Sequence, residues 1–386
     1  MVKNAAARKQ VAIVYHFFPH YRSAIFSELL KCKDFECILV GDVKDPNDSS
    51  IEPWIPPQGT FVRTPCRKLT SAVLWQTGLI RLVTTMDLDV IIFLGNFSFI
   101  STWVAALLAR RKGVRILFWT HGWLRDDNGI KEAIRTRFYH LAHGLLLYGN
   151  RAKQIGVRKG FLPHTLHVIY NSLDYNRQKE VRSHISDERL RALRAEIFPG
   201  SPNPIIVCTG RLTRLKKLDL LLNAMALLNQ QGHKACLLLV GDGPERECLK
   251  QLSHQLNLSV YFYGACYEET NLAELIMCAN VAVSPGQVGL TAMHAFAYGV
   301  PVITHGDLDH QGPECEAILP GKTGDIFQRG DVNDLAKVLK KWILRPWPDL
   351  QTRTECTAII ERFYNPEFQA SAISRAVFGN PAEEMI

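Results

Sequence analysis

The stretch VAVSPGQVGLTAMHAFAYGVPVI, residues 281–303, gives the clearest indication of the fold of this chain. A short apolar run leads into a loop with two glycines, Gly286 and Gly289, and then into small residues at helical spacing and a second apolar run. Fully apolar runs of this length are typical of parallel strands that are buried on both faces. A glycine loop that begins a helix also presents free backbone N–H groups and predicts an anion site, although the same glycines can serve the turns alone.

The same alternation continues outward over most of the 386 residues. Short apolar runs, each followed by a turn and a helical pattern, recur in both halves, and this order indicates doubly wound α/β domains. The runs lie at residues 11–15, 37–40, 90–94, 114–119, 144–148 and 166–169 in the first half and at 204–209, 235–240, 260–263, 281–284 and 301–304 in the second. The length favours two domains, because it exceeds what one hydrophobic core usually holds.

A charged segment without strand-like runs, residues 171–203, predicts the boundary between the domains. We expect a first Rossmann-like domain at 1–185, a second at 186–356 and a helical segment at 357–386. The two sheets are expected to face each other across a cleft, with ligands at the carboxyl ends of the strands. The uncharged stretch 90–109 is long enough to span a membrane, but Gly95 and Asn96 interrupt it, so a buried strand and a helix are expected.

The net charge of +8 is unevenly distributed. Residues 1–200 carry 29 Lys and Arg against 17 Asp and Glu, and residues 201–386 carry 16 against 20. A basic half favours a partner with phosphate groups, such as a nucleic acid, an anionic membrane or a nucleotide, or it is a solvated surface. The basic residues lack the interleaved aromatics of nucleic-acid readers, so no nucleic-acid partner is predicted. Ten cysteines without a CxxC pair indicate a reduced, cytoplasmic protein.

Two further loops follow predicted strands in the second half. GRLTRLKK, residues 210–217, places Gly210 at a sharp turn and then Arg211 and Lys216, two cations that suit a diphosphate. GDGPE, residues 241–245, has two glycines that indicate a tight turn between a strand and a helix. Each loop alone is a weak signal, because a solvated basic turn or an ordinary α/β turn has the same composition.

Taken in order, GRLTRLKK, LLLVGDGPE, VYFYGACYEETNLAELIMCANVAVSPG and GLTAMHAFAYGVPVI resemble the family 4 glycosyltransferases, which have the GT-B fold. The resemblance is close over about residues 205–345 and loose in the first half. It implies retaining transfer of a sugar from a nucleoside diphosphate sugar, with no cofactor and no obligatory metal. It also implies that the C-terminal helices cross back to the first domain.

The resemblance gives roles to particular residues. The cations and the helix start would stabilise the diphosphate as a leaving group, which is the task of the metal in other sugar transferases. A histidine at the end of the predicted strand 114–119 would contact the donor sugar near the reacting carbon. The residues so implied are His121 for the sugar, Arg211, Lys216, Gly289, Leu290 and Thr291 for the diphosphate, and Tyr263, Gly264 and Ala265 for the base. Gly210, at the turn before Arg211, is also expected at the donor site.

The chain departs from this family around the glycine loop. Members typically carry two glutamates eight residues apart, the first on the donor sugar and the second on the ribose, but Gly286 and His294 occupy these positions here. His294 can still hydrogen-bond a ribose hydroxyl. We expect Glu314, or else Glu316, to replace the sugar contact, unless both are surface acids. The missing pair leaves open a glycosyltransferase-like nucleotide-binding protein without activity, or a phosphorylase or epimerase.

The basic first half is expected to bind the acceptor. Arg22 is a candidate for a phosphate contact or an ordinary surface residue, and Asp126, Asp127 and Lys131 follow His121 on a loop that can meet the acceptor. The predicted acceptor is a glycan or a polyprenyl-diphosphate-linked or other lipid-linked sugar, used in cell-surface polysaccharide, lipopolysaccharide or glycolipid assembly. The basic first half also predicts peripheral, salt-sensitive association with an anionic membrane, at the inner face of the plasma membrane.

Overall fold

The apolar runs of the first half form one parallel sheet of seven strands in the computed structural model, which describes residues 8–45 and 51–382. The spatial order is β3-β2-β1-β6-β7-β8-β9, and a separate antiparallel pair is formed by β4 and β5. The strands are β1 (Lys9–Phe17), β2 (Phe35–Asp42), β3 (Phe61–Arg63), β4 (Cys66–Lys68), β5 (Leu74–Gln76), β6 (Val90–Leu94), β7 (Arg115–Thr120), β8 (Gly144–Leu147) and β9 (Leu166–Val168).

Helices cover both faces of this sheet. Phe118 and Trp119 are neighbours on β7, so their side chains point to opposite faces, and each belongs to its own cluster of buried apolar residues. This double burial explains why the strands are apolar throughout. The helices are α1 (Ser23–Leu30), α2 (Leu79–Thr85), α3 (Ile100–Arg111), α4 (Ile130–Tyr139) and α5 (Asn150–Arg158).

The second half builds a six-stranded parallel sheet with the order β12-β11-β10-β13-β14-β15. The order runs outward in one direction from β10 and in the other from β13, which is the arrangement of doubly wound dinucleotide-binding folds. The strands are β10 (Ile205–Thr209), β11 (Cys236–Val240), β12 (Ser259–Gly264), β13 (Val281–Ser284), β14 (Val302–His305) and β15 (Gly324–Phe327). The predicted α/β architecture is confirmed, and every predicted apolar run lies in one of the two large sheets.

Eight helices pack on the second sheet or beside it. The first helix that follows β10 has a buried apolar face, with residues at helical spacing. These residues are Leu218, Leu221, Leu222, Met225 and Leu228. The helices are α6 (Tyr175–His184), α7 (Asp187–Ile197), α8 (Leu218–Gln230), α9 (Arg246–Gln255), α10 (Glu269–Met277), α11 (Leu290–Ala297), α12 (Val332–Ile343) and α13 (Leu350–Phe363).

The chain divides into two compact units at positions that differ from the predicted boundaries. Unit 1 comprises residues 1–174 and 365–386, and unit 2 comprises residues 175–364. Helix α6, which the boundary at 185 assigned to the first domain, belongs to unit 2 because it packs against α10 and α11. One contact is a hydrogen bond of 3.2 Å from Gln178 Nε2 to Glu269 Oε1.

The last helix, α14 (Pro366–Phe378), returns to unit 1. Ile373, Ala376 and Val377 enter the same buried cluster as Trp119, and Arg115 donates a hydrogen bond of 3.0 Å to the carbonyl oxygen of Ala376. The predicted return of the C-terminal helices is made by α14, whereas α13 stays with unit 2.

The uncharged stretch 90–109 forms β6 and most of α3, as its interruption by Gly95 and Asn96 predicted. Among the helices of residues 8–45 and 51–382, none is both long enough and apolar enough to cross a bilayer.

Candidate active site

The sheet of unit 2 reverses its strand order between β10 and β13, and the loops after these strands lie side by side at its carboxyl edge. Parallel α/β sheets bind ligands at such a point, because the two loops turn away from each other and leave a crevice. The first loop carries Gly210, Arg211 and Lys216, and the second carries Gly286 and Gly289. The ends of both strands and the residues that follow them line a small cavity here, and Arg211 and Lys216 are among its lining residues.

The loops after β10, β11 and β13 are in backbone contact, and glycines make this contact possible. A Cβ atom at Gly241 would lie 2.0 Å from the carbonyl oxygen of Gly210, and one at Gly286 would lie 2.0 Å from the carbonyl oxygen of Leu215. The N–H of Gly286 also donates to the carbonyl oxygen of Lys216 at 3.1 Å. No side chain fits at either glycine, so the close packing of the loops excludes a glutamate at position 286.

The two cations of the first loop differ in their surroundings. Lys216 is half-buried, burial lowers the pKa of its ammonium group, and its Nζ lies 3.4 Å from the carbonyl oxygen of Gln287 in the glycine loop. Arg211 is exposed, and its guanidinium has no hydrogen bond or ion pair with the part of the chain that the structure describes. The ammonium of Lys216 and the guanidinium of Arg211 can together bind both phosphates of a diphosphate.

Helix α11 begins directly at the glycine loop. Gly289 has a φ of +52°, in the left-handed region, and Leu290 is the first helical residue. The first N–H groups of an α-helix have no intrahelical partner, and the helix dipole favours an anion there. The predicted phosphate contacts are Gly289, Leu290 and Thr291 at this helix start. They come two to four residues after Gln287, whose carbonyl oxygen Lys216 contacts.

His294, in the second turn of α11, has a carboxylate from α10 beside it. Tyr298 lies one turn further on the same face and donates a hydrogen bond to Oε1 of Glu269. Burial lowers the pKa of the His294 imidazole, and the negative charge of Glu269 opposes this shift. Sequence reasoning did not single out Glu269, because only the packing of α10 on α11 brings it to this position.

Glu314 lies in a short 3-10 turn, Pro313–Ala317, with 4% of its surface exposed. Its carboxylate faces the glycine loop. A Cβ atom added to Gly312 would be 2.7 Å from Glu314 Oε2, 3.6 Å from Gln287 Nε2 and 3.7 Å from the Cα of Gly289, so all three lie around one point. The alternative that Glu314 is a surface acid is therefore wrong. Glu316, in the same turn, is half-buried.

Tyr263 and Gly264, which are predicted to contact the base, lie at the end of β12. Gly264 ends β12 with a φ of +98°, and Tyr263 beside it is 40% exposed, so a base has an open aromatic face there. The segment is the edge of the unit 2 sheet, and the backbone N–H of Gly241 donates to the carbonyl oxygen of Gly264 at 2.7 Å. This bond ties the predicted base segment to the loop after β11.

In unit 1, His121 follows β7 at the carboxyl edge of the sheet, as predicted. Its ring centre lies 4.7 Å from that of Tyr148, which follows β8. His121 is exposed at the surface of the chain, but the protein atoms around its imidazole and the positive charge of Arg22 still lower its pKa, to about 4. The ring is therefore neutral near pH 7, and it can donate or accept a hydrogen bond there.

Arg22 is buried, with 8% of its surface exposed, so its interpretation as a surface residue is wrong. Its guanidinium donates to the hydroxyl of Tyr15 at 3.0 Å and to the hydroxyl of Tyr148, and it lies 5.0 Å from the ring centre of Trp119. These aromatic partners hold both terminal nitrogens. Within unit 1, the charge of Arg22 acts on His121.

The loop after His121 is tied down by ion pairs. Asp126 pairs with Arg158 at 3.0 Å and with Lys159 at 3.4 Å, and the hydrogen bond from Arg158 is the main cause that lowers the pKa of its carboxyl group. Within residues 8–45 and 51–382, no group of three or more His, Cys, Asp or Glu side chains is arranged to hold a metal ion. The ten cysteines are all free thiols.

Solved structures of the same fold cover almost the whole chain. Anabaena Alr3699/HepE in complex with UDP matches with a TM-score of 0.70 and 16% identity, over 96% of this chain and 99% of that one. The lipopolysaccharide outer core galactosyltransferase WaaB matches with a TM-score of 0.66 and 16% identity, over the same shares. The chain thus has the GT-B fold of glycosyltransferases, with two Rossmann-like domains.

Residues 191–360, which lie in unit 2, match the model of the glycosyl transferases group 1 family. The GDP-mannose-dependent alpha-(1-6)-phosphatidylinositol monomannoside mannosyltransferase of Mycolicibacterium smegmatis is 27% identical over 42% of this chain and 44% of that enzyme. The putative glycosyltransferase EpsD of Bacillus subtilis is 25% identical over 63% of this chain and 64% of that protein. The chain thus spans less than two thirds of these curated relatives' length.

Proposed function

We propose that the chain is a glycosyltransferase that moves a sugar from a nucleoside diphosphate sugar to a glycan or a lipid-linked acceptor. The observation that carries this proposal is the crevice between β10 and β13, which Arg211 and Lys216 line, and α11 begins at the end of the glycine loop that Lys216 contacts. Two cations and a helix N-terminus match the charge of a diphosphate. The match of residues 191–360 to a glycosyltransferase family supports the same assignment.

The proposed reaction needs no base from the enzyme. The bond between the anomeric carbon and the diphosphate oxygen breaks, and Arg211, Lys216 and the N–H groups of α11 stabilise the charge that develops on the diphosphate. The acceptor oxygen attacks from the same face, its proton passes to the departing diphosphate, and the new linkage keeps the anomeric configuration. The resemblance to retaining enzymes supports this stereochemistry. An inverted linkage in the NMR spectrum of the product would refute it.

Glu314 is proposed to contact the donor sugar, in place of the glutamate that cannot occupy position 286. The support is its burial and the position of its carboxylate at the glycine loop. We expect Glu314→Gln to lower kcat by about 100-fold or more, since it removes the charge from a group near the reacting carbon, and to leave the Kd for the nucleoside diphosphate within about threefold. Near-normal turnover of this variant would refute the role. A buried carboxylate at this place also argues against an inactive protein.

The acceptor is proposed to lie on an anionic membrane surface, at the inner face of the plasma membrane, in the assembly of a cell-surface polysaccharide or glycolipid. Unit 1 carries 24 Lys and Arg against 16 Asp and Glu, whereas unit 2 carries 21 of each. On α4, Ile130 and Ile134 are 84% and 45% exposed beside the exposed Lys131 and Arg137. Exposed apolar side chains among cations suit a surface of anionic lipid.

A further inference from the structure

A buried side-chain amide joins two loops of unit 2. Gln311 is 3% exposed, and its Oε1 accepts a hydrogen bond of 3.0 Å from the backbone N–H of Val288 in the glycine loop. Its Nε2 donates to Thr304 Oγ1 at 2.8 Å and to the carbonyl oxygen of His305 at 3.0 Å. A backbone N–H can only donate and a carbonyl oxygen can only accept, so these partners fix the orientation of the amide.

The network continues through Thr304, which is fully buried at the end of β14. Its hydroxyl lies 2.7 Å from the carbonyl oxygen of Ser284 and 3.2 Å from that of Gly286, and its single proton serves these two acceptors. The hydroxyl thus accepts from Gln311 and donates to the loop after β13. Through these two side chains, the end of β14 and the loop of Gln311 are fixed to both ends of the glycine loop.

We propose that Gln311 is a positioning residue that sets the distance between Glu314 and the glycine loop. A glutamate within the glycine loop would be placed by the backbone itself, but Gly286 has no room for a side chain. A carboxylate supplied by a separate loop needs an anchor, and Gln311 lies three residues before Glu314. A satisfied buried network of this kind holds one geometry, because every broken bond would leave a polar group unpaired. The inference rests on the proposed role of Glu314.

Hydrogen exchange tests the anchor without any substrate. In the full chain, Gln311→Met keeps the length of the side chain and removes its three hydrogen bonds, so we expect the Val288 amide to exchange at least about tenfold faster. Gln369→Met is the matched control, since Gln369 is 1% exposed in unit 1 and accepts and donates in the same way, with Ser172 and Tyr170. Unchanged exchange at Val288 in Gln311→Met would overturn the proposal.

A double-mutant cycle tests the link to Glu314, with release of nucleoside diphosphate from UDP-glucose and GDP-mannose as the probe. Gln311→Met should lower kcat by about tenfold or more, and by less than about twofold once Glu314→Gln is present. An equal loss in both backgrounds would overturn the proposal. Full activity of Glu314→Gln alone would instead contradict the proposed role of Glu314. With no turnover of either donor, the proposed activity fails for these donors and the exchange result decides the anchor.

A second pair of variants covers the case in which Gln311→Met does not fold. Thr304→Val removes the hydroxyl and keeps the shape, and Thr304→Ser keeps the hydroxyl. We expect loss of turnover in the first and rescue in the second, with thermal unfolding to show that both are folded. Equal turnover of the two variants would overturn the role of the network.

Discussion

Lys216 and Lys217 are neighbours with different surroundings, and this difference gives a test of the donor site. Lys216 is half-buried against the glycine loop, whereas Lys217 is exposed. We expect Lys216→Met to weaken the binding of nucleoside diphosphates by about 10- to 100-fold, since hydrogen bonds to charged groups contribute about 1.5–3 kcal/mol. Lys217→Met should change the Kd by less than about threefold. Calorimetric titration with UDP, GDP and ADP measures both, and equal losses would contradict the assignment.

The depressed pKa of His121 links its protonation to folding. Its pKa is about 4 in the folded chain, below the ordinary value of 6.5, so the unfolded chain takes up the proton first as the pH falls. Stability that is present above pH 6.5 is therefore lost as the pH falls towards 4. His121→Asn should lose less stability than the wild type between pH 7 and pH 4.5. Denaturant unfolding at the two pH values measures this, and an equal loss in both proteins would show that His121 is not shifted.

Several site residues could be predicted from the sequence because their chemistry is local. Arg211, Lys216 and Gly289 stand at fixed offsets from strand ends, and the topology alone brings those ends together. Gln311 and Glu269 were missed because each acts through a contact with a separate element, and no spacing in the chain records such a contact.

Helices and strands could also be predicted from the sequence where the signal is local, and not where it depends on contacts with other elements. Long apolar runs predicted the central strands, while β3 and β15 were not predicted, since Phe61–Arg63 and Gly324–Phe327 are short and mix apolar with charged residues. The predicted boundary at residue 185 differs from the structural boundary at residue 174 for a related reason. Helix α6 is mostly polar, so its sequence gives no sign of which sheet it packs on, and its burial against α10 decides its place.

Helix α14 completes the core of unit 1, and this gives a prediction for a truncated chain. A chain that ends at residue 364 would expose the cluster that Ile373, Ala376 and Val377 cover, so we expect it to unfold at a clearly lower temperature or to aggregate. A chain that ends at Gly379 keeps the helix and serves as the control. Thermal unfolding compares the two, and equal midpoints would contradict the role of α14.

The charge of the molecule is concentrated in unit 1 once the structural boundary is used. The division at 174 leaves unit 2 neutral, because residues 175–200, whose excess of cations lies on α6, carry 6 Lys and Arg against 4 Asp and Glu, and residues 201–364 carry 15 against 17. The donor crevice with Arg211 and Lys216 thus lies in the neutral unit. The excess of cations belongs to the unit proposed to meet the acceptor.

Liposome binding tests the membrane proposal. We expect the protein to sediment with vesicles of phosphatidylglycerol at low salt and to dissociate as salt rises, since screening weakens the attraction of unit 1 to the lipid. Serine substitution of Ile130 and Ile134 should weaken binding. Serine substitution of Leu344 and Leu350, which are 62% and 67% exposed in unit 2, is the control. Equal effects of the two pairs would contradict α4 as the contact.

The crevice of unit 2 is proposed to bind a nucleotide sugar for transfer. Release of nucleoside diphosphate from UDP-glucose, UDP-galactose and GDP-mannose, measured with and without a bacterial lipid extract as acceptor, tests it most directly. We predict that the wild type consumes at least one donor faster when the acceptor is present, and that Lys216→Met abolishes this release. Release that is equal in the wild type and in Lys216→Met, or that is absent with every donor, would contradict it.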